Sequence, residues 1–406
     1  MSRASEVAPN GRKELNGKSY YGVALAATAV LVMFATGGLV AAETQPAKHL
    51  MALGLPDSSP AAPPSVTPAP PRPPAPTTTT TAFVLPRVVS ITPSNGTHNV
   101  AVNDPITIKL SRPPADNAPM PELNPPVQGV WAVRGDMVKF TPSVAYAPWS
   151  VEKVSVPVGL VVTAQQSSFN IEGVGTPRAE QLLAELKYLP LRFGLSQLSS
   201  SLDLESSVAS LVSPLPQPGI FTWRYPAIPT SLSAQWSPGQ YNVILQGAIM
   251  TFEDQYNLNI DGLMGPDVWH ALSAAVAARH VDSQPYDYLM VSEVLPEQLV
   301  VWRNGKDTYQ TPANTGVEGA NTPVGTWPVY LRFQTTTMMG TDVDGTKYDV
   351  PDVPWVAYFN GGDAVHGYWR YSYGYPQSNG CVELPVSNAQ VVWAMDPLGT
   401  LVNVSD

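Results

Sequence analysis

A segment rich in proline and threonine, residues 56–81, cannot bury a hydrophobic core. Its sequence, PDSSPAAPPSVTPAPPRPPAPTTTTT, has no apolar periodicity, and proline both fixes the backbone and lacks a hydrogen-bond donor. Proline-rich chains favour extended polyproline II structure, which rises about 3.1 Å per residue. We therefore predict a semi-rigid stalk over residues 43–86, with the folded domains following it.

An uncharged stretch, residues 19–42, precedes the stalk and follows the basic residues Arg12, Lys13 and Lys18. About 20 apolar residues span the hydrocarbon core of a bilayer as a helix, and a positive flank stays in the cytoplasm. We predict a transmembrane anchor over residues 19–42, with residues 1–18 in the cytoplasm and the rest of the chain outside. A signal peptide that is cleaved after Ala42 is the alternative.

Length, charge and cysteine content limit what the remainder can be. A chain of 406 residues suggests two or three domains. The net charge of −10 argues against a nucleic-acid partner, because such proteins present basic surfaces to the phosphates. Cys381 is the single cysteine, which excludes an internal disulfide and a zinc site built from several cysteines.

Alternating apolar residues predict β-strands over residues 87–163. Ile106, Ile108 and Leu110 alternate in one run, and Val154, Val156 and Val158 alternate in another. Turn-forming residues separate these short runs, which is typical of a β-sandwich. The segment resembles a bacterial Ig-like domain, and we interpret it as a spacer.

Helical periodicity marks residues 176–280, with an interruption rich in serine and proline at about residues 199–238. Leu182, Leu186 and Leu189 fall at helical spacing. A second apolar face is formed by Tyr241, Ile244, Leu245, Ala248, Ile249, Phe252 and Tyr256. A turn at Asp261-Gly262 follows, and a further helix is predicted to start at Pro266. The string AIMTFEDQYNLNIDGLMGPDVWHAL resembles the second half of a peptidoglycan-binding helical module, although amphipathic core helices of any kind would show the same periodicity.

The last segment, residues 286–406, is again rich in predicted strands and contains the lone thiol. A hairpin is predicted around Asn304-Gly305. Cys381 follows Gly380, and His366 is the only histidine of this segment. A thiol needs a base beside it to become a nucleophile, and a glycine leaves space for a substrate carbonyl near backbone N–H groups. The pair therefore fits acyl transfer, whereas a buried, inert cysteine beside a surface histidine is the simpler reading.

The wider sequence around the pair, HGYWRYSYGYPQSNGCVELPVSNAQVVW, resembles the catalytic domain of the YkuD-like L,D-transpeptidases. That family has His-Gly or His-Ser, a glycine-rich interval, then Ser-His-Gly-Cys, a hydrophobic residue and often Arg or Asn. The upstream strings NTPVGTWPVY and YFNGGDAVHG extend the resemblance to about 120 residues. The implied fold class is multidomain: a mostly β catalytic domain of the YkuD-like β-sandwich type, a small all-α peptidoglycan-binding-like domain and an Ig-like β-sandwich.

The resemblance also implies roles for individual residues. Cys381 matches the nucleophile, His366 the general base, and Gly367 the residue whose carbonyl orients that base. Gly380 and Cys381 would supply N–H groups to an oxyanion, with Asn379 and Ser378 beside them. Positions that line the donor pocket in the family match Tyr348, Gly361, Gly362 and Glu383.

Two residues depart from the family pattern. Asn379 stands where histidine is usual, so this position can donate a hydrogen bond but cannot carry a proton. Glu383 stands where arginine or asparagine is usual, and we expect its charge to repel a donor carboxylate and to favour an amine.

The resemblance implies a cell-wall acyltransferase that joins peptidoglycan stem peptides through a cysteine thioester, giving 3→3 cross-links. No metal or organic cofactor is implied, and carbapenems would acylate the thiol. The expected location is the cell envelope, outside the plasma membrane and tethered to it. Two alternatives stay open: a peptidoglycan-binding scaffold with a weakened catalytic domain, and a cysteine peptidase or amidase that uses water as acceptor.

Overall fold

The computed structural model describes residues 84–195 and 213–406, and in these ranges the protein is mostly β, with five helices. No helix in the described ranges is long and apolar enough to cross a membrane. The predicted anchor at 19–42 and nearly all of the predicted stalk at 43–86 lie outside them, so both stay predictions.

Seven short strands build the first part of the described chain. They pair antiparallel in two sheets, ordered β1-β2-β5-β4 and β3-β6-β7, around one apolar core. Their bounds are β1 Val88–Thr92, β2 Ile106–Leu110, β3 Glu122–Asn124, β4 Gly129–Arg134, β5 Met137–Pro142, β6 Val151–Val156 and β7 Gln165–Asn170.

The predicted alternation holds in β2, where Ile106, Ile108 and Leu110 are all buried, and fails at the end of β6. That strand stops at Val156, and Val158 is exposed, because Pro157 offers no N–H to continue the ladder. Strand β7 lies beyond the predicted boundary at residue 163. Its sequence, QQSSFN, contains a single large apolar residue, so no hydrophobic pattern marked it as a strand.

Four helices and one hairpin form the next part: α1 Thr176–Glu185, β8 Leu191–Leu195, β9 Gly219–Trp223, α2 Thr230–Ser233, α3 Val243–Gln255 and α4 Pro266–Ala277. Helix α4 starts at Pro266, as predicted. The expected all-α composition is wrong, because β8 and β9 pair antiparallel. Strand β9 lies entirely within the serine- and proline-rich stretch, at about residues 199–238, that the sequence predicts as an interruption.

Helix α1 also ends earlier than the leucine spacing predicts. Leu186 caps the helix, and Leu189 is buried although it lies outside it. Lys187 adopts a φ of 70°, which the α-helix does not allow, and Pro190 disfavours a helical backbone at the residue before it. Burial at helical spacing therefore continues for one turn beyond the helix itself.

The helical part shares a core with the C-terminal part. Tyr288, Trp302 and Leu401 belong to the same apolar cluster as the helices. The indole of Trp302 donates to the carbonyl of Ala227 at 3.1 Å, across this contact. At Gly247 a Cβ would lie 2.5 Å from the carbonyl oxygen of Gly399, so only glycine permits so close an approach.

The C-terminal part contains two sheets with an apolar core between them. The first is ordered β12-β11-β10-β18-β13 and the second β14-β15-β16-β17. Their bounds are β10 Asp287–Ser292, β11 Gln298–Arg303, β12 Lys306–Pro312, β13 Gly325–Pro328, β14 Leu331–Thr341, β15 Lys347–Asn360, β16 Asp363–Gly367, β17 Val382–Leu384 and β18 Leu401–Ser405. Helix α5, Val386–Trp393, follows β17 and packs on β15 and β16.

Two strand pairings in this part involve residues that the sequence singled out. The hairpin β11–β12 turns at Asn304-Gly305, both with positive φ, which confirms the predicted turn. Strands β16 and β17 pair in parallel, with His366 beside Glu383 and Val365 beside Val382. This parallel pair brings the chain back to His366 after a 14-residue connection, and it places the thiol within the same region.

Candidate active site

Cys381 and His366 line one cleft of about 310 Å³ in the C-terminal part. Cys381 immediately precedes β17, and His366 lies in β16, so the parallel ladder sets their separation along the sheet. Residues two apart on a strand share a face, which places Cys381 and Glu383 on the side of the sheet that faces the cleft. The structure thus brings the thiol and the imidazole that the sequence singled out into one cleft.

The imidazole of His366 is held in one tautomer. Its Nδ1 lies 3.1 Å from the carbonyl oxygen of Gly367, as the family resemblance implied. Because a carbonyl only accepts, the proton of the neutral ring is on Nδ1, and Nε2 keeps the lone pair that a base needs. Burial lowers the pKa of His366, and the Gly367 carbonyl only partly opposes this effect. His366 is therefore neutral near pH 7.

The thiol of Cys381 is protonated at the same pH. Its partial burial raises the pKa to about 12, the N–H of Ala364 acts in the opposite direction, and the charges of Asp363 and Glu383 raise it further. The nearest acceptor of the thiol is the carbonyl of Gly362, at 3.9 Å. No hydrogen bond joins the thiol to His366 among the described residues, so the free site holds a neutral thiol and a neutral imidazole.

The turn before Cys381 is tied together by Ser378. The Ser378 hydroxyl donates to the carbonyl of Cys381 at 2.5 Å and accepts from the N–H of Gly380 at 3.3 Å. The N–H of Gly380 was expected to face an oxyanion, and in this structure it is directed to Ser378 instead. Gly380 has a φ of 110°, a conformation that glycine adopts without strain.

Asn379 contacts the opposite wall of the cleft. Its side-chain amide donates to the carboxylate of Asp342, at the end of β14. Tyr348 lines the same wall, and its hydroxyl packs against Gly340, where a Cβ would lie 2.3 Å away. Asn379 therefore fixes a carboxylate, a role that the family pattern did not suggest.

Glu383 is not the free charge that the sequence suggested. Arg370 binds it in a bidentate manner, with Nε–Oε2 at 2.8 Å and Nη2–Oε1 at 2.7 Å, and the Glu383 side chain is only 6% exposed. The expectation that Glu383 would repel a donor carboxylate is corrected accordingly. The sequence did contain a signal, because Arg370 and Glu383 are the only Asp, Glu, Lys or Arg residues between Asp363 and Asp396.

Gly361 and Gly362 form the turn between β15 and β16 and do not line the 310 Å³ cleft. They are exposed, and their carbonyls accept from the hydroxyl of Tyr330 and from the thiol of Cys381, respectively. The next residue, Asp363, was missed from the sequence. One of its carboxylate oxygens lies 2.4 Å from where a Cβ on Gly380 would be, and burial raises its pKa.

The site combines the parts that acyl transfer requires. A thiol lies in a cleft with a neutral base of defined tautomer. The space beside Gly380 is not open to a substrate carbonyl as the sequence suggested, because a carboxylate oxygen of Asp363 lies 2.4 Å from where a Cβ on Gly380 would be. Within the described residues, no group of three or more His, Cys, Asp or Glu side chains is arranged to bind a metal ion. The chemistry that this arrangement offers is nucleophilic attack by sulfur with general-base assistance.

Comparison with known proteins agrees with that chemistry. The YkuD family, described as an L,D-transpeptidase catalytic domain, matches residues 286–404. No curated protein matches the chain.

Similar solved structures include three L,D-transpeptidases. The enzyme from Mycobacterium smegmatis is 14% identical, with 80% of this chain and 100% of that chain covered and a TM-score of 0.28. L,D-transpeptidase 3 from Mycobacterium tuberculosis is 15% identical, with 79% and 98% covered and a TM-score of 0.28. The catalytic domain of the E. faecium enzyme is 26% identical, with 30% and 100% covered and a TM-score of 0.27.

These TM-scores lie below 0.5, so the assignment rests on the family match and on the residues that the matched segment carries. Cys381 and His366 both lie within it, in the Gly-Cys and His-Gly pairs that the family pattern requires. The chain therefore contains an L,D-transpeptidase catalytic domain of the YkuD family, over residues 286–404.

Proposed function

We propose that the protein is a cell-wall L,D-transpeptidase that forms 3→3 cross-links between peptidoglycan stem peptides, with Cys381 as nucleophile and His366 as general base. One observation carries the proposal: the only thiol of the chain shares a cleft with a neutral imidazole whose Nε2 is unprotonated. The match of residues 286–404 to the YkuD family supports the same reaction class.

The first half-reaction is acylation of Cys381. Its sulfur forms a bond to the carbonyl carbon of the third residue of a donor tetrapeptide, while Nε2 of His366 takes the thiol proton. The tetrahedral intermediate then expels the terminal D-alanine, whose nitrogen takes that proton as the C–N bond breaks. Donors near the oxyanion stabilise this intermediate, and the N–H groups of Gly380 and Cys381 are the proposed candidates. For Gly380 this requires that its N–H leave Ser378, a 3.3 Å contact, when substrate binds.

The second half-reaction returns the enzyme to its starting state. The side-chain amine of a diamino acid in an acceptor stem attacks the thioester and His366 takes the amine proton. The C–S bond then breaks, and His366 gives this proton to the leaving sulfur, which restores the thiol. The sequence is a ping-pong acyl transfer without a cofactor.

The remaining modules fit a protein that works at a distance from the membrane. We propose that the predicted anchor at 19–42 and stalk at 43–86 tether the chain, that the β-strands from Val88 to Asn170 act as an Ig-like spacer, and that the helical part binds peptidoglycan. Protease added to spheroplasts should then reach every domain after residue 43. Protection of the C-terminal part in intact spheroplasts would contradict this topology.

The chemistry is tested with a carbapenem, which acylates enzymes of this family at the thiol. The wild-type protein should gain the mass of one carbapenem, and Cys381→Ala should gain none while unfolding at nearly the same temperature, because alanine conserves the small volume. His270→Ala, a change on the exposed side of α4, is the matched control and should be acylated normally.

Product analysis separates the proposal from its alternatives. A scaffold without catalysis would form no adduct and no cross-link. A peptidase or amidase would form the thioester but release it to water even when an amine acceptor is present. Cross-linking by Cys381→Ala at the wild-type rate would refute the nucleophile.

A further inference from the structure

One ion pair inside the cleft does not belong to the expected machinery. Arg370, on the loop after β16, binds Glu383 through two hydrogen bonds of 2.7 and 2.8 Å. The same terminal nitrogen that donates to Glu383, Nη2, also donates to the carbonyl of Gln377 at 3.0 Å, and the guanidinium of Arg370 lies 4.7 Å from the ring centre of Tyr368. The guanidinium of Arg370 is thus held in one place by contacts with Glu383 and with residues of the loop between β16 and β17.

The partner of this cation is the direct neighbour of the base. His366 and Glu383 stand side by side in the parallel β16–β17 ladder, and both line the cleft. A carboxylate that close favours a protonated imidazole, commonly by about 1–3 pH units in the pKa. An imidazolium cannot accept the thiol proton, so an uncompensated Glu383 would reduce the fraction of His366 that can act as a base.

Among the residues that line the cleft, no side chain other than Arg370 can neutralise the charge of Glu383. Tyr368 contacts the imidazole edge-on, at 6.0 Å between ring centres, and Cys381 immediately precedes β17, the strand that carries Glu383. On the opposite wall, the cleft presents Asp342 and Tyr348. Helix α5, which packs on β16, carries no titratable side chain. Arg370 is therefore the one cation among the residues that line the cleft.

We propose that Arg370 is a positioning residue that neutralises Glu383 beside His366 and thereby keeps the imidazole available to accept the thiol proton. Arg370 touches neither reacting atom and acts through Glu383. The charges of the pair act on His366 in opposite directions: Glu383 raises the pKa of His366, and Arg370 lowers it. This inference rests on the acyl-transfer function proposed above.

The test is the pH profile of acylation by imipenem, measured as a second-order rate constant on the full chain. The acid limb of such a profile reports the base in the free enzyme. Arg370→Gln leaves Glu383 uncompensated and should move the acid limb to higher pH, by about one unit. Glu383→Gln leaves the cation and should move it to lower pH. The double variant Arg370→Gln/Glu383→Gln removes both charges and should return the limb close to its wild-type position.

Arg303 offers a matched control. It binds Asp287 in the same bidentate way, at 2.6 and 2.7 Å, with similar exposure of both partners, and neither residue lines the cleft. Arg303→Gln should therefore leave the position of the acid limb unchanged. Arg370→Lys keeps the positive charge and should keep the limb near the wild-type position, even if Arg370→Gln fails to fold.

The outcomes distinguish this inference from the proposed function. Absence of acylation in the wild-type protein would refute the function itself. Acylation in the wild type with unmoved limbs in both single variants would overturn only the role of Arg370. The role of Arg370 would also be overturned if Arg303→Gln shifted the acid limb of the pH profile as far as Arg370→Gln does, or if Arg370→Gln and Glu383→Gln shifted it in the same direction. A shift in Arg370→Lys as large as that in Arg370→Gln would overturn it too.

Discussion

Replacing Gly380 by alanine is expected to destabilise the protein through two separable effects. Gly380 has a φ of 110°, outside the region that L-residues prefer, and a left-handed backbone costs about 1–2 kcal/mol for a residue with a Cβ. The new Cβ would also lie 2.4 Å from a carboxylate oxygen of Asp363, far inside van der Waals contact. Overpacking of this kind costs about 1–3 kcal/mol. We expect a loss of roughly 2–5 kcal/mol in the free energy of unfolding.

A second substitution separates the two effects. Asp363→Ala shortens the side chain that the new Cβ meets, so Gly380→Ala/Asp363→Ala should regain the contact part and retain a loss of about 1–2 kcal/mol. Gly362→Ala is the matched control, because an added Cβ there has open space and an ordinary φ, and it should change the free energy of unfolding by less than about 0.5 kcal/mol.

Urea unfolding of the wild type and of these three variants measures the differences. Acylation by imipenem gives a second readout, since Gly380 precedes the nucleophile. A displacement there of about 1 Å should slow acylation roughly 100-fold in Gly380→Ala. The reasoning is refuted if Gly380→Ala unfolds within about 0.5 kcal/mol of the wild type. It is equally refuted if Asp363→Ala recovers nothing.

Three further predictions follow from individual contacts. His366→Ala should slow acylation by roughly 10²–10⁴-fold, whereas His270→Ala should not; equal losses in stopped-flow measurements would remove the base assignment. Asn379→Leu should leave Asp342 without its amide donor and reduce the free energy of unfolding by about 1–3 kcal/mol, while Asn379→His keeps a donor; equal urea midpoints for the two would contradict this. Burial raises the pKa of Glu253 to about 7. The protonated carboxyl therefore stabilises the folded state fully below pH 4.5, and this stabilisation is lost as the pH rises through 7. In thermal unfolding, Glu253→Gln should accordingly lose less stability than the wild type between pH 4.5 and 8.

Local sequence patterns predicted those elements whose signal is contained in a few neighbouring residues. The Asn304-Gly305 turn and the start of α4 at Pro266 are examples, because both depend on backbone preferences of the residues present. The pair β8–β9 was not predicted, since its strands belong to segments 23 residues apart and become strands only by pairing with each other. Strand β7 was missed for a similar reason, as its polar sequence is ordered by β6.

In the candidate site, too, the sequence predicted the residues whose signal is local and missed those that depend on distant partners. Cys381, His366 and Gly367 were identified because their residue types and order are themselves the signal. Arg370, Asp342 and Asp363 were not, because each contributes through a partner that lies elsewhere in the chain or on another strand: Glu383, Asn379 and Gly380, respectively. A sequence motif identifies the reacting groups, whereas the charged groups around them are brought together only by the folded structure.

The resting electrostatics of the site bear directly on how the thiol is activated. A thiol with a pKa near 12 and an imidazole with a lowered pKa do not form an ion pair in the free enzyme, since the proton would move strongly uphill. In the proposed reaction, transfer of the thiol proton to Nε2 would therefore accompany formation of the S–C bond, when negative charge passes from sulfur to the oxyanion. A single base is enough for such a transfer, so a second imidazole beside the thiol is not required. The presence of Asn379, whose side chain cannot carry a proton, is consistent with this. Burial, and to a smaller extent the charges of Asp363 and Glu383, raise the pKa of the Cys381 thiol and so disfavour its ionisation in the free site.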